Sequence, residues 1–497
     1  MQYLVSDREM KNLDRNTSEH FHIPEIVLME QAANAFIKEF ARFRNDAANI
    51  LIVCGTGNNG ADGIAIARLL RQQNISAAVC IPFMQTKQTD SFRLQYQIYT
   101  EYGYPVVSYD QSWESYTVLI DAMFGIGLSR EIEGSMAECI RRMDNFHGTV
   151  FAVDMPSGVS AGTGQILGTG VHADHTITFS FGKTGQFLWP GSEYCGDVII
   201  APMGITKESW LDERPQIAAL EPEDLSLLPE RSAHSNKGTY GKVLVIAGSY
   251  NMAGAAYLCA KAAYRTGSGL VRIFTDDTNR IPLQSLIPEA ILSTYDASFD
   301  PEMLLHELKW ADTVILGPGI GTSETSHLIV KTVLQNIQIP CVIDADALNI
   351  ISADRSLFSF LNETMIVTPH LGEMARLCKC DVKTIQDDLI ATARTFSDTY
   401  HATCILKDCR SVINVWHGMT YLNLSGNHGM ATAGSGDVLS GIVGSLLGQG
   451  CTAENAAVFG AYIHGLAGNQ ALQETGFRGM IADDIINGLN GLWKRES

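Results

Sequence analysis

The residues best suited to chemistry lie in one glycine-rich stretch, residues 426–441, which runs into an apolar segment at 438–447. The apolar segment predicts a buried helix, so residues 434–436 (Gly-Ser-Gly) would offer free backbone N–H groups where anions bind. Asp437 comes next, an acid at a place that suits a phosphate. Such a carboxyl could accept a proton beside a transferring phosphoryl group. The alternative is an aspartate that only caps a helix.

Three apolar runs in the first half also end in polar residues, and each predicts a buried strand. The runs are residues 49–54, 118–121 and 150–154. Carboxyl ends of parallel strands meet at one edge of a sheet, so their loops would line one crevice. Asn59, Asp121 and Ser157 could together offer oxygen ligands to a cation. Taken singly, each of these residues could equally be part of a turn or cap.

The loop after the first of these strands matches a dinucleotide-binding fingerprint at Gly55, Gly57 and Gly60. The fingerprint also needs an acid about 20 residues later to bind a ribose hydroxyl. The next predicted strand, residues 77–81, ends without one. A standard nicotinamide dehydrogenase is therefore disfavoured.

Residues 1–205 resemble the amino-terminal epimerase domain of the nicotinamide-nucleotide hydrate repair enzymes. The segments that carry the resemblance are 28–30 (Leu-Met-Glu), 55–63 (Gly-Thr-Gly-Asn-Asn-Gly-Ala-Asp-Gly), 121–127 (Asp-Ala-Met-Phe-Gly-Ile-Gly), 153–158 (Val-Asp-Met-Pro-Ser-Gly) and 181–185 (Phe-Gly-Lys-Thr-Gly). The resemblance implies a Rossmann-like three-layer sandwich that interconverts the R and S forms of hydrated NADH or NADPH.

The resemblance also implies the site residues of this half. Those that would contact the nucleotide are Asn58, Asn59, Gly60, Ala61, Asp62, Gly125, Ile126, Gly127, Leu128, Ser129, Arg130 and Glu131. Asn59, Asp121 and Ser157 would bind potassium, and Asp154 would lie at the reacting nicotinamide. The hydrated carbon is an N,O-acetal, so a carboxylate can assist loss and return of the hydroxyl, and we assign this acid–base role to Asp154. Ala61 is a departure, because the family usually has glycine there.

In the second half, predicted strands again alternate with predicted helices, which indicates a largely parallel sheet. The segments 313–321, 341–348 and 365–373 are each predicted to be a strand that ends in a loop of functional character. His370, at the last of these ends, could be a buried structural histidine or could face the crevice. Asp344 and Asp346 could serve a turn or Mg²⁺.

Residues 230–497 resemble the carboxy-terminal dehydratase domain of the same enzymes, which has a ribokinase-like α/β fold. The segments are 234–241 (His-Ser-Asn-Lys-Gly-Thr-Tyr-Gly), 317–321 (Gly-Pro-Gly-Ile-Gly), 344–348 (Asp-Ala-Asp-Ala-Leu), 368–373 (Thr-Pro-His-Leu-Gly-Glu) and 433–437 (Ala-Gly-Ser-Gly-Asp). By resemblance, the residues that contact the hydrated nucleotide are Ala253, Gly254, Gly319, His370 and Asp437. Those that contact ADP or ATP with Mg²⁺ are Lys407, Asp408, Cys409, Arg410, Ser411, Asn427, Ala433, Gly434, Ser435 and Gly436. Asp408 and Cys409 replace a small pair, and the acid would repel nearby phosphates.

The implied reaction dehydrates the S form back to NADH or NADPH at the expense of ADP or ATP, with Asp437 as proton acceptor. The alternative is a ribokinase-like kinase of small alcohols fused to a non-catalytic nucleotide-binding module.

Composition limits the other classes of function. The chain has 497 residues, which predicts two α/β domains, at 1–220 and 221–497, separated by a charged, proline-containing stretch near 205–235. A net charge of −19 argues against nucleic-acid and anionic-membrane partners. Neither a signal peptide nor a membrane span is expected. Eleven cysteines without a paired Cys-x-x-Cys pattern favour reduced thiols in a cytoplasmic protein. We also expect a homo-oligomer.

Overall fold

The computed structural model describes residues 1–43, 48–296 and 299–493. The chain divides into two compact units, one of Tyr3–Ile217 and the other of Met1–Gln2 with Ala218–Ser497. The division therefore lies at 217–218, against 220 in the sequence-based estimate. A short strand, Ile217–Ala219, lies at this division and is numbered β10 below.

The first unit is an α/β unit built on a parallel sheet. Its strands are Gln2–Val5 (β1), Ile50–Cys54 (β2), Ala77–Cys80 (β3), Val106–Val107 (β4), Val118–Ala122 (β5), Thr149–Val153 (β6), His175–Phe179 (β7), Gly182–Lys183 (β8) and Asp197–Ala201 (β9). Its helices are Asp7–Glu19 (α1), Glu25–Phe40 (α2), Asn58–Gln72 (α3), Asp90–Glu101 (α4), Gly134–Asp144 (α5) and Gly191–Cys195 (α6). Among the described residues, seven strands form one sheet in the order β4-β3-β2-β5-β6-β7-β9, and β1 pairs with β8.

The second unit continues with strands and helices in alternation. Its strands are Lys242–Ile246 (β11), Leu270–Asp276 (β12), Ile291–Tyr295 (β13), Thr313–Leu316 (β14), Cys341–Ile343 (β15), Met365–Val367 (β16), Thr403–Leu406 (β17), Val412–Asn414 (β18) and Thr420–Leu422 (β19). Its helices are Ala253–Thr266 (α7), Arg280–Leu286 (α8), Pro301–Trp310 (α9), Glu324–Asn336 (α10), Asp346–Ala353 (α11), Leu371–Cys378 (α12), Val382–Asp387 (α13), Leu389–Tyr400 (α14), Ser435–Gly448 (α15), Ala453–Gly479 (α16) and Ala482–Trp493 (α17).

Strands β13-β12-β11-β14-β15-β16-β17 of this unit are parallel neighbours, and β18 and β19 extend the sheet in antiparallel fashion. The α/β class with parallel sheets predicted from the sequence is confirmed. Strands β2, β5 and β14 are buried along their whole lengths, as expected where helices cover both faces of a parallel sheet. In the part of the chain that the structure describes, no helix is long and apolar enough to cross a membrane.

The structure revises the predicted loop after β2. Helix α3 begins at Asn58, so residues 58–62 form its first turns and only residues 55–57 are loop. Residue 60 must be glycine, because a Cβ there would lie 1.9 Å from the carbonyl oxygen of Gly55. The first turn of α3 therefore lies directly against the loop after β2.

Helix α15 packs against α7 in the second unit through a similar close approach. Residues 438–447 of α15 are all buried, which confirms the helix predicted from the apolar segment. At Gly441 a Cβ would lie 2.3 Å from the backbone carbonyl oxygen of Cys259 on α7. Backbone cannot rotate away as a side chain can, so the distance between these helices depends on this glycine.

We predict that Gly441→Ala lowers the free energy of unfolding by about 1–3 kcal/mol, the usual cost of overpacking, although alanine is the better helix former. Gly479→Ala is the matched control, because its new methyl group would meet no atom closer than 3.9 Å. The urea midpoints of the two full-length variants measure the difference. Equal midpoints would contradict the assigned contact.

Candidate active sites

A cavity of about 790 Å³ lies in the first unit, beyond the carboxyl ends of its strands. The residues proposed from the sequence that line it are Asn58, Asn59, Asp62, Gly125, Ile126, Gly127, Leu128, Ser129, Arg130 and Asp154. Gly60, Ala61 and Glu131 are not among the lining residues. Ala61 is wholly buried, so the methyl group that departs from the family pattern packs into the protein interior.

Asp154 follows β6 and is fixed by an ion pair. The Lys183 ammonium lies 2.5 Å from Asp154 Oδ1, and Thr178 Oγ1 donates to the same oxygen at 2.9 Å. The Lys183 side chain is 1% exposed and also donates to Thr178 and to the Phe179 carbonyl. Gln186 Nε2 donates to the Asp154 carbonyl at 2.7 Å. Asp154 has φ of +66°, a strained conformation for a residue with a Cβ, which these bonds stabilise.

Two further carboxyls, Asp14 on α1 and Asp62 on α3, line the same cavity. Among the described residues, neither side chain makes a hydrogen bond or ion pair. Burial raises the pKa of Asp14 to about 6; nearby Lys183 opposes the shift, whereas Asp154 and Glu25 add to it. Burial also raises the pKa of Asp62 well above its usual value, and Asp154, Asp14 and Glu25 add to that effect.

Asp121 and Ser157 lie at the ends of β5 and β6 and contact each other directly. Ser157 Oγ donates to Asp121 Oδ1 at 2.6 Å, and the Ser157 backbone N–H donates to Asp121 Oδ2 at 2.7 Å. The Phe124 N–H in turn donates to Ser157 Oγ at 2.9 Å. Gly125, the residue after Phe124, lies against Asn59: a Cβ on Gly125 would be 3.2 Å from Asn59 Cβ. The three residues proposed as cation ligands are thus neighbours through this loop.

In the second unit, the predicted anion site is the N-terminus of α15. Gly434 caps the helix with φ of +87°, a conformation that favours glycine, and Ser435 and Gly436 follow in the first turn. Asp437 lies in this turn as well. The backbone N–H groups there have no partners within the helix and carry the positive end of its dipole.

An ion pair between a half-buried lysine and a buried aspartate lies beneath that turn. Lys407, which follows β17, donates to Asp344 Oδ1 at 2.9 Å, and Ser440 Oγ on α15 donates to Asp344 Oδ2 at 2.7 Å. Lys407 Nζ would lie 3.3 Å from a Cβ on Gly436, a tight contact that would require the ammonium to shift by a few tenths of an ångström. The lysine therefore adds a positive charge directly below the anion site.

Asp437 is desolvated at this place. Burial raises its pKa to about 7; Asp344 and Asp346 add to the shift, and Lys407 opposes it. A carboxyl with a pKa near neutrality can accept a proton efficiently. His464 lies on α16 with its Nε2 3.3 Å from Ser435 Oγ, and burial lowers its pKa to about 4, so it is neutral.

The structure also brings the other residues proposed for substrate contact close to α15. Ala253 and Gly254 open α7. Gly319 has φ of +61°, and a Cβ there would lie 2.9 Å from Ala255 Cβ, so its loop lies against the start of α7. Gly434 approaches the same helix, because its Cβ would lie 2.4 Å from Leu258 Cδ1.

His370 serves as a cap and stays exposed. Its Nδ1 accepts from the N–H groups of Gly372 and Glu373 at the start of α12, and the side chain is 54% exposed. The alternative of a buried structural histidine is therefore wrong, because the capping side chain is open to solvent. His370 pairs with Lys407 through an isolated β-bridge, which places it beside the Lys407–Asp344 ion pair.

The segment after β17 proposed to bind nucleotide varies in accessibility. Cys409 is exposed, Asp408 is half-buried, and burial raises the pKa of Asp408. Arg410 donates to the carbonyl of Leu424, so its guanidinium is anchored at the edge of this segment. The remaining proposed nucleotide contacts have the following places: Ser411 is half-buried, Asn427 caps a short helical turn, and Ala433 is exposed before α15.

Sequence reasoning missed several site residues. Lys183 was noticed only as part of a family segment, and Asp14 was not singled out because nothing in the pattern of α1 separates it from a surface acid. Ser440 reads as an ordinary small residue in an apolar helix. Asp344 was considered for a turn or Mg²⁺, whereas its carboxylate is paired with Lys407.

Comparison with known proteins assigns both units. A family model described as YjeF-related protein N-terminus matches residues 25–185, and one described as NAD(P)H-hydrate dehydratase matches residues 243–490. A bifunctional NAD(P)H-hydrate repair enzyme of Moorella thermoacetica is 36% identical over 98% of this chain and 95% of its own length. The chain belongs to the family of bifunctional NAD(P)H-hydrate repair enzymes.

Other relatives agree with the family assignment. A bifunctional NAD(P)H-hydrate repair enzyme of Escherichia coli K12 is 33% identical over 93% of this chain and 88% of its own length. A crystal structure of a ribokinase-like superfamily protein from Enterococcus faecalis V583 covers 57% of this chain and 98% of its own, with 28% identity and a TM-score of 0.51. The predicted ribokinase-like fold of the second unit is confirmed. Relatives that match both units do not favour the alternative of a kinase fused to a binding module.

We predict that Lys183→Met destabilises the chain by about 3–5 kcal/mol, because it leaves the carboxylate of Asp154 buried without its cation. The double variant Asp154→Asn with Lys183→Met should be more stable than Lys183→Met alone, since the unpaired charge is gone. Urea unfolding of the wild type, of Lys183→Met, of Asp154→Asn and of the double variant gives this double-mutant cycle. Lys11→Met is the control, because Lys11 pairs with Asp7 at the surface and its loss should cost less than about 1 kcal/mol.

Proposed function

We propose that the first unit interconverts the R and S forms of hydrated NADH or NADPH, and that the second unit dehydrates the S form at the expense of ADP or ATP. The family assignment supports both activities. The observation that carries the proposal is the desolvated carboxyl of Asp437 at the N-terminus of α15, above the half-buried Lys407. This arrangement joins a phosphate site to a proton acceptor, as the second reaction requires.

In the dehydration, Asp437 accepts the proton of the ring hydroxyl as that oxygen attacks the terminal phosphoryl group. The phosphoanhydride bond breaks, and ADP leaves from ATP or AMP leaves from ADP. Negative charge then grows on the phosphoryl oxygens. The N–H groups of residues 434–436 and the Lys407 ammonium stabilise this charge. The electron pair of the ring nitrogen next expels the phosphate, and loss of a ring proton restores the dihydropyridine.

The remaining contacts follow from the places of the proposed residues. Ala253, Gly254, Gly319 and His370 would contact the hydrated nucleotide beside Asp437. The ADP or ATP contacts would come from Lys407, Asp408, Cys409, Arg410, Ser411, Asn427, Ala433, Gly434, Ser435 and Gly436. Asp408 would have to remain protonated or point away from the phosphates, and its raised pKa favours the first.

Magnesium would come to this site with the nucleotide. Among the described residues there is no group of three or more His, Cys, Asp or Glu side chains that could hold a metal ion. Asp344 is already paired with Lys407, which makes it a poor free ligand. Mg²⁺ commonly binds substrate phosphates and water with few protein ligands, and this chemistry fits the residues present. It would neutralise phosphate charge.

In the epimerisation, the hydroxyl leaves the N,O-acetal carbon with electrons supplied by the ring nitrogen, and water returns to either face. The intermediate is a cationic iminium. The Asp154 carboxylate, held by Lys183, would stabilise that cation at the reacting ring, and the acid–base role assigned to it from the sequence stays a prediction. Residues 58–62 and 125–131 would contact the rest of the nucleotide.

Potassium fits the residues proposed for it. Asn59 Nδ2 is buried and has no hydrogen-bond partner among the described residues. Rotation of the amide by half a turn would place an oxygen there, and the carboxylate of Asp121 and the hydroxyl of Ser157 supply further hard oxygens. A cation bound by these residues would anchor the loop at 121–127 and supply positive charge near the substrate.

We predict that Asp437→Ala abolishes dehydration, because no group remains to accept the hydroxyl proton, while nucleotide binding stays measurable. The assay supplies the S hydrate with ATP or ADP and follows the absorbance of the restored dihydropyridine. Epimerisation by the same variant, measured without nucleotide, is the control and should equal that of the wild type. Turnover near the wild-type rate would exclude Asp437 as the base, and a wild-type chain without dehydration would exclude the proposed activity.

We predict that dehydration by the wild type rises with pH through about 7, because Asp437 must be ionised to accept a proton and its pKa is raised to about 7. Asp344→Asn removes a charge that raises this pKa and should shift the inflection to lower pH. Asp346→Asn should shift it in the same direction by less. The pH dependence of kcat for the three proteins measures both shifts, and an inflection that moves to higher pH in Asp344→Asn would contradict the electrostatic coupling.

A further inference from the structure

The epimerase cavity contains a carboxyl that no proposed role uses. Asp14 lies on α1, a helix that begins after Ser6 with a capping box to Glu9 and forms one wall of the cavity. Its side chain is half-buried and makes no hydrogen bond or ion pair among the described residues. A carboxyl held away from water without a partner costs free energy, so it needs an explanation.

The neighbouring Asp154 is already engaged by other groups of the protein. Its Oδ1 lies 2.5 Å from the Lys183 ammonium and also accepts from Thr178 Oγ1 at 2.9 Å. These contacts fix the side chain in place and occupy that oxygen. The hydroxyl that leaves the hydrate needs a proton, because hydroxide is a poor leaving group. Another group in the cavity must supply that proton.

Asp14 meets this need better than Asp62. A group that gives and retakes a proton in each turnover works best with a pKa near the working pH. Burial raises the pKa of Asp14 to about 6 and that of Asp62 well above its usual value, and Asp62 already belongs to the segment proposed to contact the nucleotide. Asp154 is paired, whereas Asp14 is unpaired and desolvated. Two carboxyls in such different environments can take different roles in one reaction.

We propose that Asp14 is the acid–base catalytic residue of the epimerase cavity and contacts the hydroxyl of the hydrated ring, beside the fixed Asp154–Lys183 pair. The inference rests on the proposed epimerisation, and it moves to Asp14 the acid–base role that the sequence assigned to Asp154, leaving Asp154 to stabilise the cation.

The step balances without a further reactant. Protonated Asp14 gives its proton to the hydroxyl, the carbon–oxygen bond breaks, and water leaves as the ring nitrogen lone pair forms the iminium. Water then adds to the opposite face, a new carbon–oxygen bond forms, and the released proton returns to Asp14. The net result is inversion at one carbon, with no oxidation or reduction.

The charged groups that face Asp14 come from four other places in the fold. They are Lys183 on β8, Asp154 after β6, Glu25 on α2 and Asp62 on α3. Lys183 favours the carboxylate form and the three acids favour the protonated form. Because the protonated form starts each inversion, the rate should be highest below about pH 6 and should fall above it.

The test uses the full-length chain and a single epimer of hydrated NADH without nucleotide, with chiral chromatography to follow the approach to the mixed epimers. After subtraction of the spontaneous rate, Asp14→Asn should lower kcat by about 10²–10⁴-fold with little change in KM. Asp14→Glu, which keeps the carboxyl, should retain more activity than Asp14→Asn. Asp7→Asn is the control, because Asp7 lies on the same helix, pairs with Lys11 at the surface and is outside the cavity lining.

Each outcome either supports or overturns the assignment of Asp14. An Asp14→Asn chain that epimerises at the wild-type rate overturns the assignment, and so does an equal loss in Asp7→Asn. The wild-type pH profile tests it without any variant, since a rate that does not fall as pH rises past about 6 also overturns it. If the wild type does not accelerate epimerisation at all, the proposed function of the unit fails instead. Dehydration of the S hydrate by Asp14→Asn should be unchanged.

Discussion

The pairing of a lysine, buried in the first unit and half-buried in the second, with a carboxylate at a strand end organises the candidate site in each unit. Lys183 holds Asp154 in the first unit, and Lys407 holds Asp344 in the second. In both, the carboxylate oxygens are further bonded by hydroxyl groups, those of Thr178 and Ser440. Removing one partner from such a pair leaves an uncompensated buried charge, so the two residues must be kept together.

Each pair also fixes the electrostatics of a neighbouring carboxyl. Asp14 and Asp437 are both desolvated, both lie near a paired carboxylate, and both have a pKa raised toward neutrality. The lysine opposes the shift in each case and keeps the carboxyl within the range in which a proton can be exchanged. The candidate sites of both units therefore contain one carboxylate that is fixed by a lysine and a second carboxyl that can exchange a proton.

Close backbone contacts position these groups. Gly60 lets α3 approach the loop after β2, and Gly436 leaves space for the Lys407 ammonium under the first turn of α15. Gly434 adopts a positive φ so that α15 can begin where it does. These glycines were recognised from the sequence as parts of phosphate-binding patterns. In the structure, Gly60 is needed as much for packing as for the approach of a ligand.

The sequence by itself determined the order of strands and helices, the parallel sheets, and the stretches that carry chemistry. Apolar runs and glycines are local signals, so α15, β2, β5 and β14 could be predicted, although the start of α3 at Asn58 was missed because its first residues resemble a loop. The segments that resemble the repair enzymes also lie within short windows.

Only the tertiary structure decided which acids are paired and which are left unpaired in a cavity. The partners of Asp344 are 63 and 96 residues away in sequence, and the partner of Asp154 is 29 residues away. Asp14 has no signal in the sequence, because its burial depends on where α1 packs. The pKa of a carboxyl depends on its burial and on the charges beside it. Both arise from contacts between distant segments, so the adjacent residues in the sequence do not reveal them.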